Sequence, residues 1–321
     1  MDAPLLEIEN LQTWFHTDAG PARAIDGVSL TINAGETYAL VGESGSGKSV
    51  TALSIMQLLP KAVGYIENGS IRFCGKDIVG ATTPEMRDLR GNDISMIFQE
   101  PMTSLNPVLT VGQQVREPLM VHQQMNKKQA DAEAIEALKK VHIPDSDKRT
   151  ADYPHQFSGG MCQRAMIAMG LTCAPKIIIA DEPTTALDVT IQAQLLTLMK
   201  QLTIETGAAL IIITHNLGII ERSADGVNVM YAGRIVEKAS AAVLYKTPKH
   251  PYTKGLMASV PKIDQDVKTR LLPIEGQPPD LTNLPRGCAF APRCRFRIAK
   301  CSEETPQLRI ISDDHETACW V

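Results

Sequence analysis

At 321 residues the chain has room for one large domain and a smaller one. Its 44% hydrophobic and 21% charged content is ordinary for a globular protein, and a net charge of −4 leaves no overall electrostatic case for nucleic acid as a partner. No stretch approaches the ~20 uninterrupted apolar residues of a membrane span, and Met1-Asp2-Ala3-Pro4 does not open a signal peptide, so the chain is expected in the cytosol.

Leu6, Ile8 and Leu11 alternate with Glu7, Glu9 and Gln12, which predicts a strand; residues 28–32 predict a second. Tyr38-Ala39-Leu40-Val41 is a short buried strand that feeds directly into Gly42-Glu43-Ser44-Gly45-Ser46-Gly47-Lys48-Ser49. Residues 49–59 follow with a helical pattern, which Pro60 ends. Asn68-Gly69 reads as a turn before a strand at 70–73. Residues 110–141, rich in Gln, Ala, Glu, Lys and Met, predict a mostly helical subdomain. The aliphatic runs 177–180 and 210–213 suit parallel strands buried on both faces, with a helix at 189–204 between them. This alternation predicts an α/β fold. After about Leu256 the composition shifts: Pro273, Pro278, Pro279, Pro285, Pro292 and Pro306 interrupt regular structure, and a small C-terminal module is expected. Its apolar core is thin, so a metal or packing on the main domain should hold it.

Strand, glycine loop and helix are the context of a phosphate-binding loop. Glycines let backbone N–H groups curve around phosphates, and the helix start adds its dipole. Lys48 would reach the β- and γ-phosphates and Ser49 would bind Mg²⁺. Asp181, at the end of the 177–180 strand, suits a second Mg²⁺ contact, and Glu182 could orient or deprotonate an attacking water.

Further motifs follow in order. Phe157-Ser158-Gly159-Gly160-Met161 resembles the signature sequence of ABC ATPases; Gln99 resembles their glutamine switch, Ala186-Leu187-Asp188 their D-loop and His215 their switch histidine. The resemblance implies a P-loop NTPase with a RecA-like core and antiparallel β and α-helical subdomains over residues 1–255, the helical part at about 105–170, followed by a Cys-rich module at 256–321. It also implies roles. Gln99 joins Ser49 and Asp181 around Mg²⁺, Glu182 and His215 serve hydrolysis, Phe15 (with Trp14 next) stacks on adenine, and Asp188 belongs to the nucleotide site. Ser158, Gly159 and Gly160 contact the γ-phosphate of a partner subunit's ATP, so two subunits close head-to-tail around two ATPs. Met161 departs from the usual Gln, with the phosphate contacts intact. ABC proteins of DNA repair carry a long coiled coil between loop and signature; only about 110 residues separate them here, without sustained heptads.

Four segments narrow the resemblance: Tyr153-Pro154-His155-Gln156, Gln99-Glu100-Pro101-Met102-Thr103-Ser104-Leu105-Asn106-Pro107, Lys249-His250-Pro251-Tyr252-Thr253 and Gly276-Gln277-Pro278-Pro279-Asp280. Together they resemble the ATP-binding subunits of bacterial dipeptide and oligopeptide importers. That likeness implies a second, homologous ATPase, two membrane permeases and a periplasmic peptide-binding protein as partners, at the cytoplasmic face of the inner membrane. Nickel, heme and longer-peptide importers share most of these motifs.

Four of the seven cysteines, Cys288, Cys294, Cys301 and Cys319, fall within the last 34 residues. In a reducing compartment such clustering favours a metal site over disulfides. Their spacing leaves zinc, an iron–sulfur cluster and free thiols open. Arg286, Arg293, Arg295, Arg297 and Lys300 lie among them without an Asp or Glu from 286 to 300; cationic neighbours favour thiolates, and a solvated basic loop, or one touching lipid headgroups, is the equally open reading of the run. The importer resemblance implies a [4Fe–4S] cluster. Cys74, Cys162 and Cys173 are expected to be ordinary buried residues.

Overall fold

The first long strand, β1 (Leu6–Thr17), pairs antiparallel with β2 (Gly20–Ile32), placing Leu6 opposite Ile32 and Ile8 opposite Leu30. The computed structural model describes residues 3–184, 189–259 and 273–321. They fall into two units: Met1–Ile32, Tyr38–Val79 and Thr214–Val321 form the first, Asn33–Thr37 and Gly80–Ile213 the second. Among the described residues, no helix is long and apolar enough to cross a membrane.

In the first unit β3 (Thr37–Val41) leads through the glycine loop into α1 (Lys48–Ile55). This helix is shorter than the 49–59 pattern predicted, because Gln57 turns to φ 47° after Met56. β4 (Gly64–Phe73) and the two-residue β5 (Lys76–Asp77) complete a four-stranded sheet in the order β2-β1-β4-β5. The expected turn at Asn68-Gly69 is instead a position inside β4. The β1–β4 register shifts between Glu9 and Gln12, and a Cβ on Gly69 would come within 2.6 Å of Asn10 O and Leu11 Cα, so only glycine passes this bulge. The true hairpin turn is Cys74-Gly75, with φ of 48° and 76° between paired Phe73 and Lys76. That turn puts Cys74 on the surface, contrary to expectation, whereas Cys162 and Cys173 are buried as expected.

The second unit carries α2 (Thr83–Leu89), β6 (Ile94–Ile97) and the short α3 (Pro101–Ser104). Next come α4 (Val111–His122), α5 (Lys127–Lys140), α6 (Ser146–Arg149) and α7 (Gly159–Leu171). Thr110 with Gln113 and Asn126 with Gln129 form capping boxes that start α4 and α5. Leu119, Ala130 and Cys173 share one apolar cluster of this region. β7 (Ile177–Asp181) runs parallel to β6 and to β8 (Ala209–Thr214), with α8 (Val189–Thr206) between β7 and β8 in the chain. Every residue of β7 and β8 is buried, as the unbroken aliphatic runs predicted.

Back in the first unit, β9 (Gly226–Tyr231) lies parallel to β3 and antiparallel to β10 (Arg234–Ser240). α9 (Ala241–Lys246) and α10 (Pro251–Ala258) follow. The C-terminal stretch contains α11 (Lys300–Glu303), β11 (Arg309–Ser312) and β12 (His315–Thr317). β12 pairs with β10, placing Thr317 opposite Glu237, and β11 pairs with β12. The thin C-terminal core is therefore held by packing on the strands of the main body.

Candidate nucleotide site

The phosphate loop is shaped by close approach. A Cβ on Gly42 would sit 2.2 Å from Met230 O, and one on Gly47 would sit 2.4 Å from Ala24 O. Gly47 also takes φ 105°, which a side chain would oppose. The β9–β10 tip braces the loop from below: Gly233 N–H donates to Ser46 O at 2.9 Å, and Asp26 N–H donates to Gly233 O at 2.9 Å. Lys48 is 4% exposed, and its Nζ donates to Gly42 O at 2.9 Å and Glu43 O at 3.0 Å, which curls its charge over the loop. α1 begins without a side-chain cap. Ser46 Oγ is buried and has no hydrogen-bond partner, a state folded proteins rarely leave a hydroxyl in. An uncapped helix start, a buried ammonium and an orphaned hydroxyl on one glycine loop fit a phosphate group.

Glu43, second in the loop, is tied at three points. Its carbonyl receives Lys48, its N–H donates to Tyr252 Oη at 2.7 Å, and its carboxylate accepts from Arg293 Nη1 at 2.6 Å and Nη2 at 3.0 Å. The Glu43 carboxylate pushes the Arg293 guanidinium further above its already high range, and burial raises the Tyr252 phenol. Sequence reasoning placed Glu43 in the loop and missed both partners. A carboxylate inside an anion-binding loop was the available signal, since it calls for a nearby cation.

In the second unit the structure brings Gln99 and Glu182 together: Gln99 Nε2 donates to Glu182 Oε2 at 3.2 Å. Asp181, 7% exposed, closes β7. Glu182 adopts φ 46°, a left-handed conformation costly for a residue with a Cβ, and its N–H donates to Ile213 O at 2.9 Å. The carboxylate is thus aimed by strained backbone as well as by Gln99. Ser158 caps α7, accepting from Met161 N at 3.3 Å, with Ser158 and Gly159 exposed and Gly160 half-buried at the helix start. Asp188 lies outside the described residues.

His215 directly follows β8 and is exposed. Phe15, in β1 opposite Gly64, is half-buried, and a Cβ on Gly64 would come 2.9 Å from its ring. Trp14 lies under the Arg23 guanidinium, 5.2 Å from the ring centroid.

None of the four C-terminal cysteines is in a disulfide, and together with His250 and Phe290 they line one small pocket. In number and kind they fit a four-thiolate ligand set. Among the described residues, however, no group of three His, Cys, Asp or Glu side chains is placed to hold a metal ion. The expectation that neighbouring cations favour thiolates is also corrected. Burial pushes the Cys288 and Cys294 thiols up and outweighs Arg297, which acts the other way at Cys294; Arg293 pairs with Glu43, Arg295 with Glu275 at 2.9 Å and Lys300 with Glu304 at 3.5 Å.

Loop, helix start and parallel strands ending in an acidic pair define a P-loop nucleotide-binding protein. Residues 25–185 match the ABC transporter family model, and residues 236–301 match that of the oligopeptide/dipeptide transporter C-terminal region. The chain is 51% identical to a putative peptide import ATP-binding protein of Brucella abortus, over 98% of this chain and 96% of that one. It is also 51% identical to the dipeptide transport ATP-binding protein DppD of Bacillus subtilis, over 99% of this chain and 94% of that one. Among solved structures, the dimeric ATP-binding cassette MJ0796 bound to ADP and Pi superposes with a TM-score of 0.67 at 26% identity, covering 74% of this chain and 98% of that one. The chain belongs to the ABC transporter ATPases of the peptide-import type.

Proposed function

We propose that this chain is the ATP-hydrolysing subunit of a bacterial ABC importer that energises uptake of dipeptides and other short peptides across the inner membrane. The observation that carries the reading is a phosphate loop with a buried lysine and an orphaned serine hydroxyl, in a chain 51% identical to a dipeptide transport ATP-binding protein. A second reading, uptake of longer oligopeptides, is favoured by 49% identity to the oligopeptide transport ATP-binding protein AppD of Bacillus subtilis.

In this reading residues 1–255 are the ATPase domain, with the helical subdomain at about 105–170, and residues 256–321 are the C-terminal module. Residues 42–47 wrap the phosphates with their amides, Lys48 neutralises them, and Phe15 stacks on the adenine. Ser49, Asp181 and Gln99 hold Mg²⁺, which withdraws charge from the phosphates when bound. Glu182 orients and deprotonates the attacking water, His215 holds the γ-phosphate, and Asp188 belongs to the same site. Ser158, Gly159 and Gly160 serve the ATP of a second, homologous ATPase, making a head-to-tail heterodimer. Exposed Phe98, Met102 and Val108 flank Gln99 and supply an apolar face for two membrane permeases, with a periplasmic peptide-binding protein delivering cargo. The chain then sits peripherally on the cytoplasmic face of the inner membrane.

Cys288, Cys294, Cys301 and Cys319 hold a [4Fe–4S] cluster. The support is that all four cysteines line one pocket, in the number and kind of ligand such a cluster takes. Anaerobic purification with iron, zinc and sulfide analysis tests it; one zinc per chain and no acid-labile sulfide overturns it. The transport reading is tested with Glu182→Gln in the assembled complex. Peptide uptake is lost while ATP still binds; uptake that persists refutes the reading.

A further inference from the structure

We propose that Arg293 is a positioning residue for the phosphate loop, through which the cysteine-bearing turn at 288–294 sets the affinity for nucleotide. The inference rests on the reading above, that the glycine loop binds ATP.

Two struts run from this turn to Glu43. The first is electrostatic: the Arg293 side chain is 5% exposed and grips the Glu43 carboxylate with both terminal nitrogens. Its Nε donates to Glu275 O at 3.0 Å and its Nη2 also to Ile274 O at 3.3 Å, so the guanidinium has one geometry rather than several. The second strut is steric. Phe290 packs on Tyr252 with ring centroids 5.4 Å apart, and the Tyr252 hydroxyl accepts the Glu43 N–H. Both struts leave one short backbone unit. It is closed by Ala291 N–H to Cys288 O at 2.9 Å, Arg293 N–H to Phe290 O at 3.0 Å and Cys294 N–H to Ala291 O at 3.3 Å. Cys288 N–H donates to Cys301 O at 2.8 Å, tying that unit to the next cysteine.

The charge arrangement explains the need for the first strut. Glu43 places a carboxylate in a loop that receives a polyanion, and an uncompensated negative charge there opposes phosphate. Arg293 cancels it from the side away from solvent. Removing Arg293 therefore frees the loop and leaves it repelling its ligand, and loosening the cysteine turn does the same in part.

The test uses the full chain in its complex, with binding of a fluorescent ATP analogue and steady-state ATPase. Arg293→Gln weakens nucleotide binding about ten-fold, seen as a higher KM with a smaller change in kcat. Adding Glu43→Gln to Arg293→Gln recovers most of that loss, which a variant that merely misfolds would not. Cys294→Ser weakens binding several-fold alone and by less than about two-fold in the Glu43→Gln/Arg293→Gln background. Unchanged affinity in Arg293→Gln, or a double variant no better than the single, overturns the inference. Lys48→Ala separates the two levels: if it binds ATP normally, the nucleotide reading of the loop fails and this inference with it. If Lys48→Ala loses ATP and Arg293→Gln does not, only the inference falls.

Discussion

Replacing Glu237 by Gln tests whether one buried carboxylate anchors the C-terminal strands. Glu237 is 0% exposed, in β10. Oε1 accepts from Lys249 N–H at 2.6 Å and contacts His315 Nε2 at 2.6 Å; Oε2 accepts from His250 N–H at 3.0 Å. Glutamine keeps the shape but offers one oxygen. Placing that oxygen at the Oε1 position keeps the Lys249 and His315 bonds as neutral ones and turns an NH₂ against His250 N–H. An orphaned buried donor costs about 1–3 kcal/mol, and each weakened charge-assisted bond about 1 kcal/mol. The expected loss is therefore about 3–5 kcal/mol of unfolding free energy, read from urea titration of the purified chain. A loss under about 1 kcal/mol would mean that β12 and the start of α10 do not depend on this carboxylate, and the account of how the C-terminal stretch is held would be wrong.

Tyr252→Phe keeps the packing on Tyr231 and Phe290 but strands the Glu43 N–H; it should cost about 1–2 kcal/mol of stability and weaken ATP binding, measured by denaturation and by nucleotide titration. Glu182→Gly relieves the φ of 46° while adding backbone entropy to the unfolded chain, so stability should stay within about 1 kcal/mol of wild type although turnover is abolished. His250 is 1% exposed, and burial lowers its pKa from 6.5 to about 4. Between those values the unfolded chain takes up a proton that the folded chain refuses, so stability falls as pH drops from 6.5 towards 4, by about 3 kcal/mol in all, and levels off below. His250→Asn, which retains an acceptor for the Tyr252 N–H cap, should flatten that part of the pH–stability curve; an unchanged slope refutes the assignment.

Where the fold obeys short-range rules, it was legible. The alternation at Leu6, Ile8 and Leu11 marks β1, and unbroken aliphatic runs mark β7 and β8, because burial on one face or two dictates those patterns. Asn68-Gly69 misled because the same dipeptide serves a hairpin turn or a bulge, and only the neighbouring backbone of Asn10 and Leu11 decides which. β11 and β12 went unread because they are four and three residues long, and β11 is exposed throughout, so no periodicity betrays them.

The candidate site divides in the same way. Gly42, Gly47 and Lys48 announce themselves within eight residues, since a loop around a phosphate is local chemistry. The partners of Glu43 lie 209 and 250 residues further along, and no window of sequence contains both ends of those bonds. The basic run from 286 to 300 shows what a local count does: it tallies cations near cysteines and assigns them to thiolates. In the fold Arg293 and Arg295 reach carboxylates distant in sequence, and burial pushes the Cys288 and Cys294 thiols up. Those cations therefore tie the cysteine turn to the loop and its flanking chain, and the electrostatics of the two must be read as one system.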